Sequence, residues 1–323
     1  MNEPSSDSVK REAWRRLVDG ESLKGLALSK RNRRIDLRGL ELPEPKLLER
    51  WQTALATVER FEPNGIFYSA KLQNLDFTGS KLLSLQFSDC EIRNCCFDRC
   101  NLQGLRLRST TIGECPFQGA DLSGTPLGVA AVTGPFAGRR NSFFEVDFSG
   151  ADLSDTVYVA AAFRGCNFSD AKLARIGFGT STFVDCTFAG ELREVQFWRS
   201  DLFARGYPDD AFPQNEMVNI DFSRARLRDV EFRGLTLDRV RLPDDVEHIV
   251  IRDFANVLDQ LIGTLTLEGD QTAKILIAYL RGYRKWTVPG ARGVLNKLDF
   301  GVAGDDGADR IVGLLRKFGV PRD

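Results

Sequence analysis

The sequence predicts a mainly β fold, a right-handed, four-sided parallel β-solenoid with α-helical segments at both ends. Three observations predict it: a large apolar residue recurs every five positions, similar residues recur every twenty, and the flanking segments change to a helical rhythm. The five-residue recurrence runs through Phe67, Leu72, Phe77, Leu82, Phe87, Ile92, Phe97, Leu102, Leu107, Ile112, Phe117, Leu122 and Leu127 without a miss. In a chain that is 42% hydrophobic, thirteen consecutive apolar centres have a chance probability on the order of 1 in 100,000.

A period of five fits neither regular element. Five steps reverse the face of a strand and advance a helix by about 140°, so the chain must turn within every repeat. The centre and the smaller residue two before it point inward, and the other three positions face solvent or make the corner. The number of sides follows from residues that share a packing environment in successive coils. At spacing twenty, Phe77, Phe97 and Phe117 match, as do Leu82, Leu102 and Leu122, then Phe143, Phe163 and Phe183, then Phe148, Phe168 and Phe188. Four sides per coil result, and the sterics of parallel crossovers set the right hand.

Two stretches rich in Pro, Gly and charge interrupt the phase, "TGPFAGRRNS" before Phe143 and "PDDAFPQNEM" before Phe222, and a four-residue slip from Phe188 to Leu192 predicts a local bulge or deletion. Upstream, Leu47, Leu48, Trp51, Leu55 and Val58 share one helical face, and "NRRIDLRGLEL" supplies a strand over the first coil. Downstream, "NVLDQLIGTL", "QTAKILIAYLRGYRKW" and "ADRIVGLLRKFG" read as helices. The expected domains are a helical N-terminal cap over 1–64, a repeat array over 65–252 with loops near 133–142 and 208–217, and a C-terminal helical segment over 253–323.

The seven cysteines, four of them in "CEIRNCCFDRC", invite a metal or redox reading. The register gives a plainer one: Cys90, Cys95, Cys100, Cys115, Cys166 and Cys186 all take the small inward slot, and only Cys96 falls outward as an accessible thiol. No zinc-type CxxC pair occurs. His248 is the single histidine and reads as structural. "GFGTST" at 177–182 lacks the glycine spacing and the strand-to-helix context of a phosphate loop. Asp121, Asp147, Asp152, Asp201 and Asp221 read as solvated surface or corner hydrogen-bond partners, and "KRNRR" at 30–34 as a solvated basic turn. No catalytic residue, metal or cofactor is expected.

The repeats "GADLSG" at 119–124, "GADLSD" at 150–155, "GCNFSD" at 165–170 and "NIDFSRARLRDVEFRGLTL" at 219–237 resemble the pentapeptide-repeat proteins, whose signature is close to A-(D/N)-L-x-x. The resemblance spans residues 65 to 242 and implies that family's right-handed quadrilateral β-helix. It also implies two functions: a scaffold or adaptor for an unidentified protein partner, or a DNA-mimicking modulator that protects DNA gyrase or topoisomerase from inhibitors. Charge weighs against mimicry, because 65–242 holds 22 acidic and 20 basic residues and the whole chain is at -1. Enzyme activity in the C-terminal helices is a third reading, with no residue pointing to it.

The expected contact residues lie on the two excursions and on one apolar coil surface: Pro135, Phe136, Arg139, Arg140, Asp209, Asp210 and Phe212, with Val157 and Val159. Val159 and Val157 share that surface with Ala160 and Ala162, all four at outward positions, so a covering loop or a homodimer is expected there. Direct nucleic-acid binding is not expected. The polar N-terminus and the lack of an 18-residue apolar run predict a cytoplasmic protein that does not enter the membrane.

Overall fold

The computed structural model describes residues 6–52, 57–125, 127, 138–200, 212–304 and 306–318. The chain divides into two compact units, Met1–Lys172 and Leu173–Asp323, so the division falls inside the expected 65–252 array.

The first unit opens with helix α1 (Ser6–Val18), hairpin β1 (Lys30–Arg31) and β2 (Arg34–Asp36), and a second hairpin β3 (Leu47–Gln52) and β4 (Thr57–Phe61). Short strands follow: β5 (Gly65–Tyr68), β6 (Lys71–Gln73), β7 (Leu75–Asp76), β8 (Leu85–Ser88), β9 (Glu91–Arg93), β10 (Arg106–Arg108), β11 (Thr111–Gly113), β12 (Ser142–Phe144), β13 (Val157–Val159), β14 (Ala162–Arg164) and β15 (Asn167–Ser169). They pair in parallel at the predicted spacing. Leu72 aligns with Ile92 and Ile92 with Ile112, and Phe67 aligns with Phe87 and Phe87 with Leu107. Two further parallel ladders run through Asp76, Cys96 and through Lys81, Asn101, Asp121, Asp152, Lys172. The chain thus revisits each of four ladders once per coil.

The centres stack inside. Phe67 lies 4.6 Å from Phe87, and Phe97 lies 5.4 Å from Phe77 and 4.7 Å from Phe117. Each corner is made by a residue two positions after a centre in the left-handed conformation, among them Asn74, Ser84, Asp89, Asn94, Arg99 and Glu114 with φ between 48° and 58°, and Gly79, Gly104 and Gly119 at somewhat larger φ. That conformation costs a non-glycine residue about 1–2 kcal/mol, which is why Gly, Asn, Asp and Ser recur there. The second turn device is the carboxylate or amide one position before a centre. Asp76 accepts from the Thr78 N–H, Asp121 from Ser123, Asp147 from Ser149, Asp152 from Ser154 and Asn167 from Ser169, each at 3.0–3.1 Å.

The first excursion inserts residues without breaking the ladder. Thr111 aligns with Ser142 and Ile112 with Phe143, a step of 31 that is the normal twenty plus eleven.

Three expectations for this unit need correction. The segment expected as a cap helix is the antiparallel hairpin β3–β4, with Trp51 opposite Val58; β-branched Thr57 and Val58 with aromatic Trp51 and Phe61 favour strands, and the apolar spacing suited either element. The cap helix is α1, which buries Ala13 and Trp14 and sets Trp14 edge-on against Phe67 at 5.6 Å and Phe77 at 6.1 Å. Gly65 makes the room, since a Cβ there would lie 3.0 Å from Trp14 Cζ2. The parallel ladder also begins earlier than residue 65, through the strand expected from "NRRIDLRGLEL": Ile35 aligns with Leu75, and Leu37, Leu40 and Leu42 are buried.

The second unit contains β16 (Leu173–Gly179), β17 (Thr182–Val184), β18 (Thr187–Trp198), β19 (Ile220–Arg228), β20 (Glu231–Arg233), β21 (Val240–Arg241), β22 (His248–Ile251), α2 (Phe254–Glu268), α3 (Gln271–Arg284), β23 (Gly293–Asn296), a 3-10 segment (Lys297–Ala303) and α4 (Gly307–Lys317). β16, β18, β19 and β21 form one parallel sheet in that order. The predicted slip appears as a register shift between Thr187 and Ala189. The second excursion also returns to register, with Phe197 opposite Phe232. The segment "EHIVIRD" departs from the array: β22 pairs antiparallel with β23, so the parallel ladder ends at Arg241 and not near 252. The helices have a core of their own, with Leu258, Leu261 and Leu265 of α2, Leu276 and Leu280 of α3, and Ile311 and Leu314 of α4 among its buried side chains.

Candidate interaction surfaces

The thiols are removed from solvent. All seven cysteines are free and buried, and burial pushes the Cys100 and Cys115 thiols up to about 12. Cys96 corrects its expected exposure: it is 5% exposed, with Sγ 3.1 Å from Thr78 Oγ1 of the coil before. An outward slot between two ladder neighbours is covered by them. No group of three potential metal ligands occurs among the described residues.

His248 is held from both ring nitrogens. Nδ1 lies 2.8 Å from Asp245 Oδ1, and Nε2 accepts the Leu227 N–H at 3.0 Å. The imidazole therefore ties β22 to the end of β19, and Asp245 is a partner that the sequence reading overlooked. In "GFGTST" the ring of Phe178 is fully buried within β16 and stacks on Phe197 at 5.1 Å, so this stretch is repeat core.

The expected contact residues scatter. Pro135, Phe136, Asp209 and Asp210 lie outside the described residues. Val157 and Val159 sit on β13, their side chains outside the description, with fully buried Tyr158 between them. Ala160 is also fully buried, in the left-handed conformation at φ 56°, so it does not belong to an outward apolar surface. Arg139 is exposed and forms an ion pair with Asp89, whereas burial pulls the half-buried Arg140 guanidinium down from its ordinary value. Phe212 is 9% exposed; an aromatic ring on an excursion can fold back into the nearest core as readily as it can project.

The second unit brings together residues that were not anticipated. Arg233 lies against two indoles that touch each other at 5.4 Å, its guanidinium carbon 4.3 Å from the ring centre of Trp198 and 4.8 Å from that of Trp286, and it pairs with Glu231. Below α3, Arg228 donates to Asp299 at 2.8 Å, the Asp229 N–H donates to its other oxygen at 3.1 Å, and the Tyr279 hydroxyl donates to Asp229. Burial pushes the Asp299 carboxyl up, against the pull of Arg228. These contacts fasten the helices to β19 and β20.

The second unit holds an open groove of about 780 Å³ lined by Asn219, Asp221, Ser223, Arg239, Arg241 and Arg292 among others. It runs beside β21, the last strand of its sheet. Asp221 lies beneath Arg241 at 3.8 Å, and Arg241 keeps 75% of its side chain exposed. Sequence alone shows these as ordinary outward repeat positions; only the end of the ladder makes them the wall of a groove.

Parallel ladders with one left-handed corner per five residues define a class, the β-coil repeat proteins. The family model for pentapeptide repeats matches eight copies, at residues 86–124 and 142–176, so these two stretches are similar to pentapeptide repeats. No curated protein matches the sequence. Among solved structures, HetL, a pentapeptide repeat protein involved in heterocyst differentiation regulation from the cyanobacterium Nostoc, is similar at 15% identity over 72% of this chain and 97% of its own, with a TM-score of 0.31. Trypsin-treated QnrB1, a plasmid-mediated fluoroquinolone resistance protein, is similar at 17% identity over 53% of this chain and 84% of its own, with a TM-score of 0.23. A pentapeptide repeat protein of the Arabidopsis thaliana thylakoid lumen is similar at 19% identity over 50% and 70%, with a TM-score of 0.15. Scores of this size leave function to be argued from the chain itself.

Proposed function

We propose that the chain is a non-enzymatic interaction scaffold of the cytoplasm, whose coils close into a right-handed quadrilateral β-helix and whose surface binds a protein partner. The observation that carries this reading is the column order of the outward side chains. Ile66, Gln86 and Arg106 align on one face, and Lys71, Glu91, Thr111, Ser142 and Ala162 on another. Inward positions are filled by stacked rings and small residues, so chemical variety is confined to flat, regularly spaced surface that suits a macromolecule better than a small substrate. No described helix is long and apolar enough to cross a membrane. The test is a tagged pull-down from the native host at several bait concentrations. Saturable capture of a protein that untagged chain displaces supports the scaffold, and turnover of a small substrate by the purified chain would overturn it.

A second reading is protection of DNA gyrase by DNA mimicry. On its side, Asp121 and Asp152 align in adjacent coils and present carboxylates in a row. Against it, Lys172 reaches Asp152 at 2.8 Å. Relief of quinolone-inhibited supercoiling by the purified chain separates the two readings.

A further inference from the structure

Two outward columns of the second unit end at β21 in arginine. In one, Asn219 donates to Asp185 at 3.0 Å, and Arg239 follows one coil later, its carbonyl accepting the Ile220 N–H at 3.2 Å. In the other, Thr187 aligns with Asp221 and Asp221 with Arg241. Both arginines are exposed, while Val240 and Leu242 on the inward side are 4% and 7% exposed. Among the described residues β21 pairs only with β19, and the groove of about 780 Å³ opens beside it. An unpaired strand edge is a template for one more strand, and opposite charges directly across a ladder are favoured over like ones. Inside the array each charge has a neighbour on both sides. At β21 the outer neighbour is missing.

We propose that the edge of β21 is a docking site for an extended segment of the partner, one that carries acidic residues at alternate positions, over Arg239 and Arg241, with small residues between them. The alternation matches the strand period of two, and the small residues match a row whose inward side chains are already covered. The proposal rests on the scaffold reading and names the chemistry of its partner.

The test uses the full chain and two fluorescein-labelled peptides of equal length, one alternating threonine and aspartate, the other threonine and lysine. Anisotropy should show the aspartate peptide bound at least ten-fold more tightly, with affinity falling as salt rises. Arg239→Glu with Arg241→Glu should reverse the preference, and both positions are exposed enough for the fold to survive, as circular dichroism will check. Hydrogen exchange should show protection of the Leu242 N–H on binding, the Val240 N–H being already engaged by the Leu237 carbonyl at 3.2 Å. Equal binding of the two peptides, an unchanged preference in the double variant, or binding without backbone protection each overturns the site. The double variant in the host pull-down keeps the two readings apart: if it retains a partner captured by the natural chain, this site falls while the scaffold stands, and if neither captures a partner the scaffold falls as well.

Discussion

The first coil of the first unit and the last coil of the second are covered by different kinds of structure. At the first, a single helix lays one large ring over the stack: Trp14 rests on Phe67 and Phe77, with only Ala13 buried beside it. At the last, α2, α3 and α4 build a core of their own and attach through directional contacts, including the Arg228–Asp299 pair and the cluster of Trp198, Arg233 and Trp286. A solenoid end needs its apolar coil hidden. One plug suffices for that, so a structured domain in the same role leaves surface over, and the groove beside β21 lies on that side of the comparison.

The largest expected effect tests the plug. Trp14→Ala should cost about 4 kcal/mol, and hydrogen exchange should rise first in β5 and β7. Exchange unchanged there would mean that α1 does not hold the first coil. Leu261→Ala, in the helical core, should cost about 3 kcal/mol, with exchange rising in α2 and α3 while β18 and β19 keep their protection. Loss of protection in β19 as well would show the helices and the coil to be one cooperative piece.

Glycines sharpen the contrast at smaller scale. A Cβ at residue 293 would lie 2.1 Å from Phe254 Cδ1, against 3.0 Å from Trp14 at residue 65. Gly293→Ala should therefore cost about 2 kcal/mol through displacement of the ring, and Gly65→Ala less than half as much. Equal shifts in denaturation midpoint would refute the difference in tightness.

The smallest effect is an acid one, confined to the helical group. Arg310, joined by the Ala273 N–H, lowers Asp270 from 3.8 to about 2. A carboxyl lowered on folding contributes stability that is fully present above its unfolded value and lost as pH falls through the folded one. The junction of α3 and α4 should thus loosen between about pH 4 and pH 2, and Asp270→Asn should flatten that dependence in a far-ultraviolet acid titration.

The repeat was legible because each centre must fill the same hole, and no other residue class does so at Phe77, Phe97 and Phe117. What covers the ends was less so. α1 buries too few residues to print a helical period, and Leu47, Leu48, Trp51 and Val58 fit a helix and a hairpin equally well. Cys96 was misjudged because its cover, Thr78, comes from the coil before. The burial of Phe212 was not legible, because apolar character alone cannot separate a projecting ring from a buried one. Arg239 and Arg241 went unnoticed because being last in a ladder is a property of topology, which composition does not record.

The restored ladder after the first excursion, Thr111 opposite Ser142, sets two different rules for how this chain can change in length over generations. Within the coils, gaining or losing one residue shifts every later side chain unless a local irregularity absorbs it, as between Thr187 and Ala189, so drift there is restricted. Between residues 127 and 138 the ladder on either side is already in register, so a change of length there leaves the pairing of the flanking coils intact. That seam is where a lineage can try new loops, and where an engineer can graft a foreign sequence, without renegotiating the rest of the molecule.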